Sequence, residues 1–238
     1  MQPEFFGRLS RPVQEFVLEV EHRTQIDIQV ALDDRLNGAG PFGRGNLEVE
    51  IEAKRIQIHA PSNGYFPDGA VRHEVLHAAR FHLEGVPKIA LADEEPWNQG
   101  LADALTHLDN AIEHLIIVPV ELHHHPERRP HWEAMLREVC SGLPGVPPEH
   151  RRLAVFMHWT FLRHVLPGSP QIEVIKAFAM AHDLFDAAQR FAGQLLAAAH
   201  CKEEMARLIF LTSPELPKQH AAFEYIRNSA STSQAPIP

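Results

Sequence analysis

His73-Glu74-Val75-Leu76-His77 sets two imidazoles four residues apart with a carboxylate beside the first, an H-E-x-x-H pattern. On an α-helix, residues four apart share a face, so both rings can reach one Zn²⁺ while Glu74, one position round, reaches a water on that metal. Zinc takes nitrogen ligands at about 2.0–2.1 Å, and a catalytic site keeps one position open. The pKa of the bound water falls from about 15.7 towards 7, and Glu74 can take its proton and later pass it to a leaving amine. The chemistry implied is hydrolysis of a carbonyl bond. The chain carries 17 His and 22 Glu in 238 residues. That composition produces about 0.1 such patterns by chance, so the surrounding elements must supply the rest of the case.

The flanks supply a helix. Ala70-Val71, Val75-Leu76 and Ala78-Ala79 are uncharged. Asp68 stands where an N-cap belongs and Gly85 and Pro87 where a helix stops, which predicts a helix over 69–84. A second helix is predicted over 101–118, with Leu101, Leu105, Leu108, Ile112 and Leu115 on one stripe and Pro119 ending it. Ahead of the motif, Ser10 and Pro12 open a short amphipathic helix on Val13, Phe16, Val17 and Val20 that ends near Glu21. Ile26, Ile28, Val30 and Leu32 then alternate with polar residues, as do Leu47, Val49 and Ile51, and Ile56 and Ile58, giving two or three strands. The Gly-rich segment 38–45 lacks the following Gly-Lys-Ser/Thr of a phosphate loop and reads as a plain loop.

Beyond residue 130 the periodicity is helical, over 132–139, 149–166, 171 to about 211 with a break near Cys201, and 220–227. The segment 229–238 is of low complexity and is expected to be disordered. The chain is therefore expected to be α+β, with a mixed metal-binding catalytic region at 1–125, a helical region packed on it at 126–228, and a tail at 229–238.

Charge and composition narrow the partners. Lys plus Arg is 22 against 31 for Asp plus Glu, a formal charge of −9, which repels a phosphate backbone and argues against nucleic acid. No stretch approaches the roughly 18 uncharged apolar residues of a membrane span, and the N-terminus lacks the basic start and apolar run of a secretion signal. A cytoplasmic protein away from membranes is expected. Cys140 and Cys201 fit no C-x-x-C spacing, so they read as packed thiols and not as zinc ligands.

Residues 70–79, together with the order helix, strands, motif helix and second helix, resemble the zincin metallopeptidases. The resemblance implies a zincin-like N-terminal half built on a small twisted sheet, with His73 and His77 as zinc ligands and Glu74 as general base. The metzincin pattern would require a Gly and a third His where Arg80 and Leu83 stand, so that subclass is excluded. What remains is similar to the gluzincin arrangement, in which the second helix supplies a carboxylate. Glu113, on the border of the apolar stripe, is then the expected third metal ligand, and Asp109, one turn earlier, the group that orients an imidazole N–H. The reverse assignment stays open, because Asp109 lies nearer the centre of the stripe. His107 and His114 fall on the opposite flank and read as lying outside the ligand set.

A donor for the developing oxyanion is also needed. Tyr65 competes for that role with His123, His124 and His125, whose rings would alternate in direction if that segment were extended. The strand over 55–60, if it is a sheet edge, could take up an extended peptide as an added strand. These features together point to a zinc-dependent metallopeptidase acting on a protein or peptide substrate. Two alternatives stand beside it: a non-catalytic, metal-stabilised regulatory or interaction module, and a hydrolase using the same water chemistry on another substrate. The oligomeric state is not legible.

Overall fold

The computed structural model describes residues 1–93, 97–227 and 231–237, which form an α+β chain with two three-stranded sheets. They divide into two compact units, one formed by 1–87, 120–131 and 225–233, the other by 88–119, 132–224 and 234–238.

The first unit opens with α1 (Pro3–Phe6) and α2 (Arg11–Thr24), followed by β1 (Ile28–Leu32), the hairpin β2 (Glu48–Glu52) and β3 (Arg55–Ala60), and α3 (Asp68–Leu83). The sheet order is β1-β3-β2, with β1 parallel and β2 antiparallel to β3. Alternation sends Ile28 and Val30 of β1 and Ile56 and Ile58 of β3 into the core. They meet Val13, Val17 and Val20 of α2 and Val71, Val75 and Ala78 of α3. Each fully buried aliphatic side chain of this kind contributes about 1.5–3 kcal/mol, and together they fix the rotation of α3.

Two expectations change here. β3 pairs along its length with both β1 and β2, so 55–60 is the central strand and no incoming peptide can extend the sheet there. Alternating hydrophobicity marks a half-buried strand but does not say whether it lies at the centre or the edge. The Asp68 carboxylate does not cap its own helix: the cap position is Pro67, and Asp68 accepts the Ser10 N–H at 3.1 Å and 3.3 Å, tying the start of α3 to that of α2. On the outer side of β1, the Gln2 amide donates to Val30 O at 3.0 Å and accepts from Val30 N at 2.9 Å, imitating a strand peptide.

The second unit holds β4 (Lys88–Leu91) and most of α4 (Gln99–His124) and α5 (Arg129–Gly142). It continues with α6 (Pro148–His164), α7 (Gln171–Ala181), α8 (Phe185–Ala197) and α9 (Lys202–Thr212), and with the first part of β5 (Ala221–Arg227) and the last part of β6 (Ser231–Pro236). α6, α7 and α8 share a core in which Phe156 meets Phe191 at 5.0 Å and Trp159 meets Phe185 at 5.1 Å between ring centroids. The helical run expected over 171–211 has its expected break near Cys201, just before Lys202, and a second one at Asp183, which sits at φ 55.

The segment 220–227, expected to be helical, is instead mostly strand β5, antiparallel to β4 with Leu91 opposite Ala221. β6 occupies part of the tail expected to be disordered, of which 229, 230 and 238 lie outside the described residues. Short apolar runs carry no decisive period, and a partner strand settles them. α4 also continues past Pro119 to His124. A proline inside a helix costs about 3 kcal/mol, a penalty that the burial of Glu121 in a network of hydrogen bonds can offset. Among the described residues, no helix is long and apolar enough to cross a membrane.

Candidate metal centre

α3 is a core helix, which is why a polar motif on it ends up buried: His73 is 5% exposed and Glu74 9%. One helical turn brings His73 Nε2 and His77 Nε2 to 3.3 Å, with their rings edge-on at 78°. A tetrahedral ion with ligands at 2.0–2.1 Å sets neighbouring donors about 3.3–3.4 Å apart, so this pair already has the spacing of two corners. The Glu121 carboxylate lies 2.9 Å from His73 Nδ1. An anion there assigns the ring proton to Nδ1 and leaves the Nε2 lone pair for a cation.

Within the first unit, His73 and His77 offer two imidazole nitrogens to one metal ion. His114 is oriented by Trp132, against which its ring packs edge-on at 5.2 Å. It precedes Glu121 by two turns of α4, so the two share a helix face to within about 20°.

Glu113, expected as the third ligand, and Asp109 share a buried lysine. Glu113 Oε1 lies 3.0 Å from Lys202 Nζ and Asp109 Oδ1 lies 2.7 Å from it, all three residues being buried. Asp109 Oδ1 also accepts the Ile89 N–H at 2.6 Å. Burial raises the Asp109 pKa, while the Lys202 charge and hydrogen bond oppose the rise. Both carboxylates thus flank a buried ammonium. The apolar stripe of α4 marks two flanks, and only the arrival of Lys202 from a distant helix decides which flank the carboxylates serve.

Glu74 makes no hydrogen bond or ion pair with a described residue. Burial pushes its pKa up to about 7; the His73 charge opposes this, the Glu121 charge adds to it, and Arg128 opposes it. A carboxyl near its titration point at neutral pH can both accept and return a proton.

Glu121 behaves in the opposite way. Burial alone would raise its pKa, but the hydrogen bonds and charges of His73 and Arg128 outweigh that and hold it at about 2. Arg128 Nε donates to Glu121 Oε1 at 2.7 Å, and Arg128 Nη1 donates to the Tyr65 hydroxyl at 3.0 Å. His131 is kept neutral, its pKa lowered to about 4 by burial and then by the Arg128 charge.

Of the residues considered for the oxyanion, only Tyr65 is tied through Arg128 to the Glu121–His73 pair. His123 and His124 form the last turn of α4 and are not extended, with their rings 5.1 Å apart. His125 is turned to Glu127, at 3.1 Å.

The residues missed in the sequence are Glu121, Arg128 and Lys202. Glu121 had a legible signal, since it repeats the His114 position after seven residues, but a helix taken to stop at Pro119 hides it. No family model, no curated protein and no solved structure matches the chain.

Proposed function

We propose that this protein is a zinc-dependent metallohydrolase of zincin type, a peptidase acting on a protein or peptide substrate inside the cell. His73 and His77 would hold the ion and Glu74 would serve as the general base. The observation that carries the proposal is the 3.3 Å separation of His73 Nε2 and His77 Nε2 with His73 Nδ1 already engaged by Glu121. Two imidazoles one helical turn apart, with a fixed tautomer on the first, are donors suited to Zn²⁺.

Zinc held there would supply Lewis acidity, lowering the pKa of water towards 7 and polarising a carbonyl. The chain's own groups would do the rest. Glu74, buried and poised at about 7, takes a proton from the attacking water and returns it to the departing amine. Glu121 holds the proton on His73 Nδ1 throughout, and the apolar flanks of α3 limit access of bulk water.

The test is elemental analysis combined with cleavage of a quenched fluorescent peptide library. Wild-type protein is expected to carry one zinc per chain and to cleave part of the library, and Glu74→Gln to retain the zinc while cleavage falls by about 10²–10⁴-fold. His77→Ala should lose the metal. Absence of stoichiometric metal, or undiminished cleavage by Glu74→Gln, would overturn the proposal; a retained metal with no cleavage by either protein would favour a stabilising role.

A further inference from the structure

The four-member chain Tyr65–Arg128–Glu121–His73 lies wholly within the first unit, and Arg128 has no role in the chemistry above. Glu121 is fully buried, and its two oxygens are divided: one faces His73 Nδ1 at 2.9 Å and the other takes Arg128 Nε at 2.7 Å. A buried carboxylate with only one partner would be free to rotate, and its grip on the imidazole would loosen. The second partner locks the carboxylate plane. The same guanidinium reaches Tyr65 Oη at 3.0 Å through Nη1. Because that oxygen accepts from Arg128, the phenol keeps its own hydrogen available to donate elsewhere.

The backbone is shaped around this arginine. The chain leaves α4 through a tight turn in which His125 N bonds to Glu121 O at 2.7 Å and Arg128 N to His125 O at 2.9 Å, folding Arg128 back over Glu121. Its stem crosses the first turn of α3 at Gly69. A Cβ at Gly69 would stand 2.6 Å from Arg128 Cγ and 3.0 Å from its Cδ, so any larger residue must displace the stem. Tyr65 is seated in a similar way: Gly45, at φ +134, would bring a Cβ to 3.1 Å from Tyr65 Cβ and 2.7 Å from Pro61 Cγ. Two glycines thus make room for the two ends of one guanidinium bridge.

We infer that Arg128 is a positioning residue of the metal centre, fixing through Glu121 the tautomer and aim of His73 and, with its other arm, holding the Tyr65 hydroxyl as a donor for the substrate carbonyl oxygen. This inference rests on the metal-binding proposal for its catalytic part, but the orientation of His73 by Arg128 is testable without any metal.

The experiment pairs Zn²⁺ affinity, read by competition with a chromophoric chelator, with the imidazole ¹⁵N spectrum of metal-free protein. In the wild type, His73 should appear as a single Nδ1–H tautomer. Arg128→Met should give mixed tautomers and weaken zinc by about 10–100-fold, as the loss of an outer partner of a ligating histidine does. Gly69→Ala, which displaces the arginine stem and leaves every charge in place, should shift both readouts in the same direction. Tyr65→Phe should leave zinc affinity and the His73 spectrum unchanged while lowering kcat on the cleaved peptide by at least tenfold.

Should Arg128→Met fail to fold, Gly69→Ala and Arg128→Lys carry the test, the lysine retaining more zinc affinity than Gly69→Ala because it keeps a cation beside Glu121. Wild-type zinc affinity and an unchanged His73 spectrum in folded Arg128→Met or Gly69→Ala would overturn the inference. If the wild type binds no zinc, the metal-binding proposal fails, and the His73 spectrum alone still decides whether Arg128 orients the ring.

Discussion

His73 Nδ1 and Glu121 Oε2 stand 2.9 Å apart, joining a ring on α3 to a carboxylate that is fully buried near the end of α4. A buried anion is tolerated only when paired, and here it is paired with both an imidazole and a guanidinium. The arrangement makes the site sensitive to residues that never need to touch a metal.

Acid should reveal Glu121 first. Its pKa is held at about 2 in the fold against an ordinary 4.5. The stability it contributes is therefore complete above pH 4.5 and lost as pH falls through that window to about 2, a change of roughly 3 kcal/mol. Urea midpoints of metal-free protein between pH 6 and 2.5 should fall more steeply for wild type than for Glu121→Gln. Parallel curves would contradict the assignment.

Glu74 should do the reverse. Its pKa rises to about 7 in the fold, so stability is complete below the ordinary 4.5 and is lost as pH rises through 7. Glu74→Gln, stripped of metal, should be more stable than wild type at pH 8 by up to roughly 3 kcal/mol, and the difference should vanish near pH 4.5. Thermal melts of the two proteins at those pH values check it.

Zinc should act as a stabilising ligand. At a free concentration a hundred times Kd, binding adds about 2.7 kcal/mol, which for a chain of this size raises Tm by roughly 5–10 °C. Calorimetry with and without a chelator should show the shift in wild type and its loss in His77→Ala. A shift that survives in His77→Ala would remove the motif from the metal site.

Lys202→Met should be among the most damaging substitutions in the second unit. It leaves Asp109 and Glu113 buried without the ammonium that lies 2.7 Å and 3.0 Å from them, at a cost of about 3–5 kcal/mol. Adding Asp109→Asn and Glu113→Gln should recover much of that loss in urea unfolding.

The two thiols should differ in reactivity. Cys140 is buried, and burial pushes its pKa up to about 11, whereas Cys201 is half-buried. Iodoacetamide at pH 8 should label Cys201 in the native protein and both residues in denaturant, as mass spectrometry of the peptides would show.

The sequence by itself determined the local terms. The spacing of Val13, Val17 and Val20 specified α2, the alternation through Ile28 and Val30 and through Ile56 and Ile58 specified β1 and β3, and the uncharged flanks of 73–77 specified α3 and put both imidazoles on one of its faces. These follow from periods of 3.6 and 2, which act between near neighbours. Tertiary structure decided the rest. Whether β3 was edge or centre depended on its two partner strands, and whether Pro119 ended α4 depended on what the following turn could bury. Whether residues 221–227 became helix or strand depended on β4. The pairing of Asp109 and Glu113 was of the same kind: helix periodicity defines the faces of α4, but a buried Lys202, remote in sequence, lies against both carboxylates. Pairings of charge and hydrogen bond between distant residues leave no periodic trace along a chain, so they become visible only when folding has brought their members together.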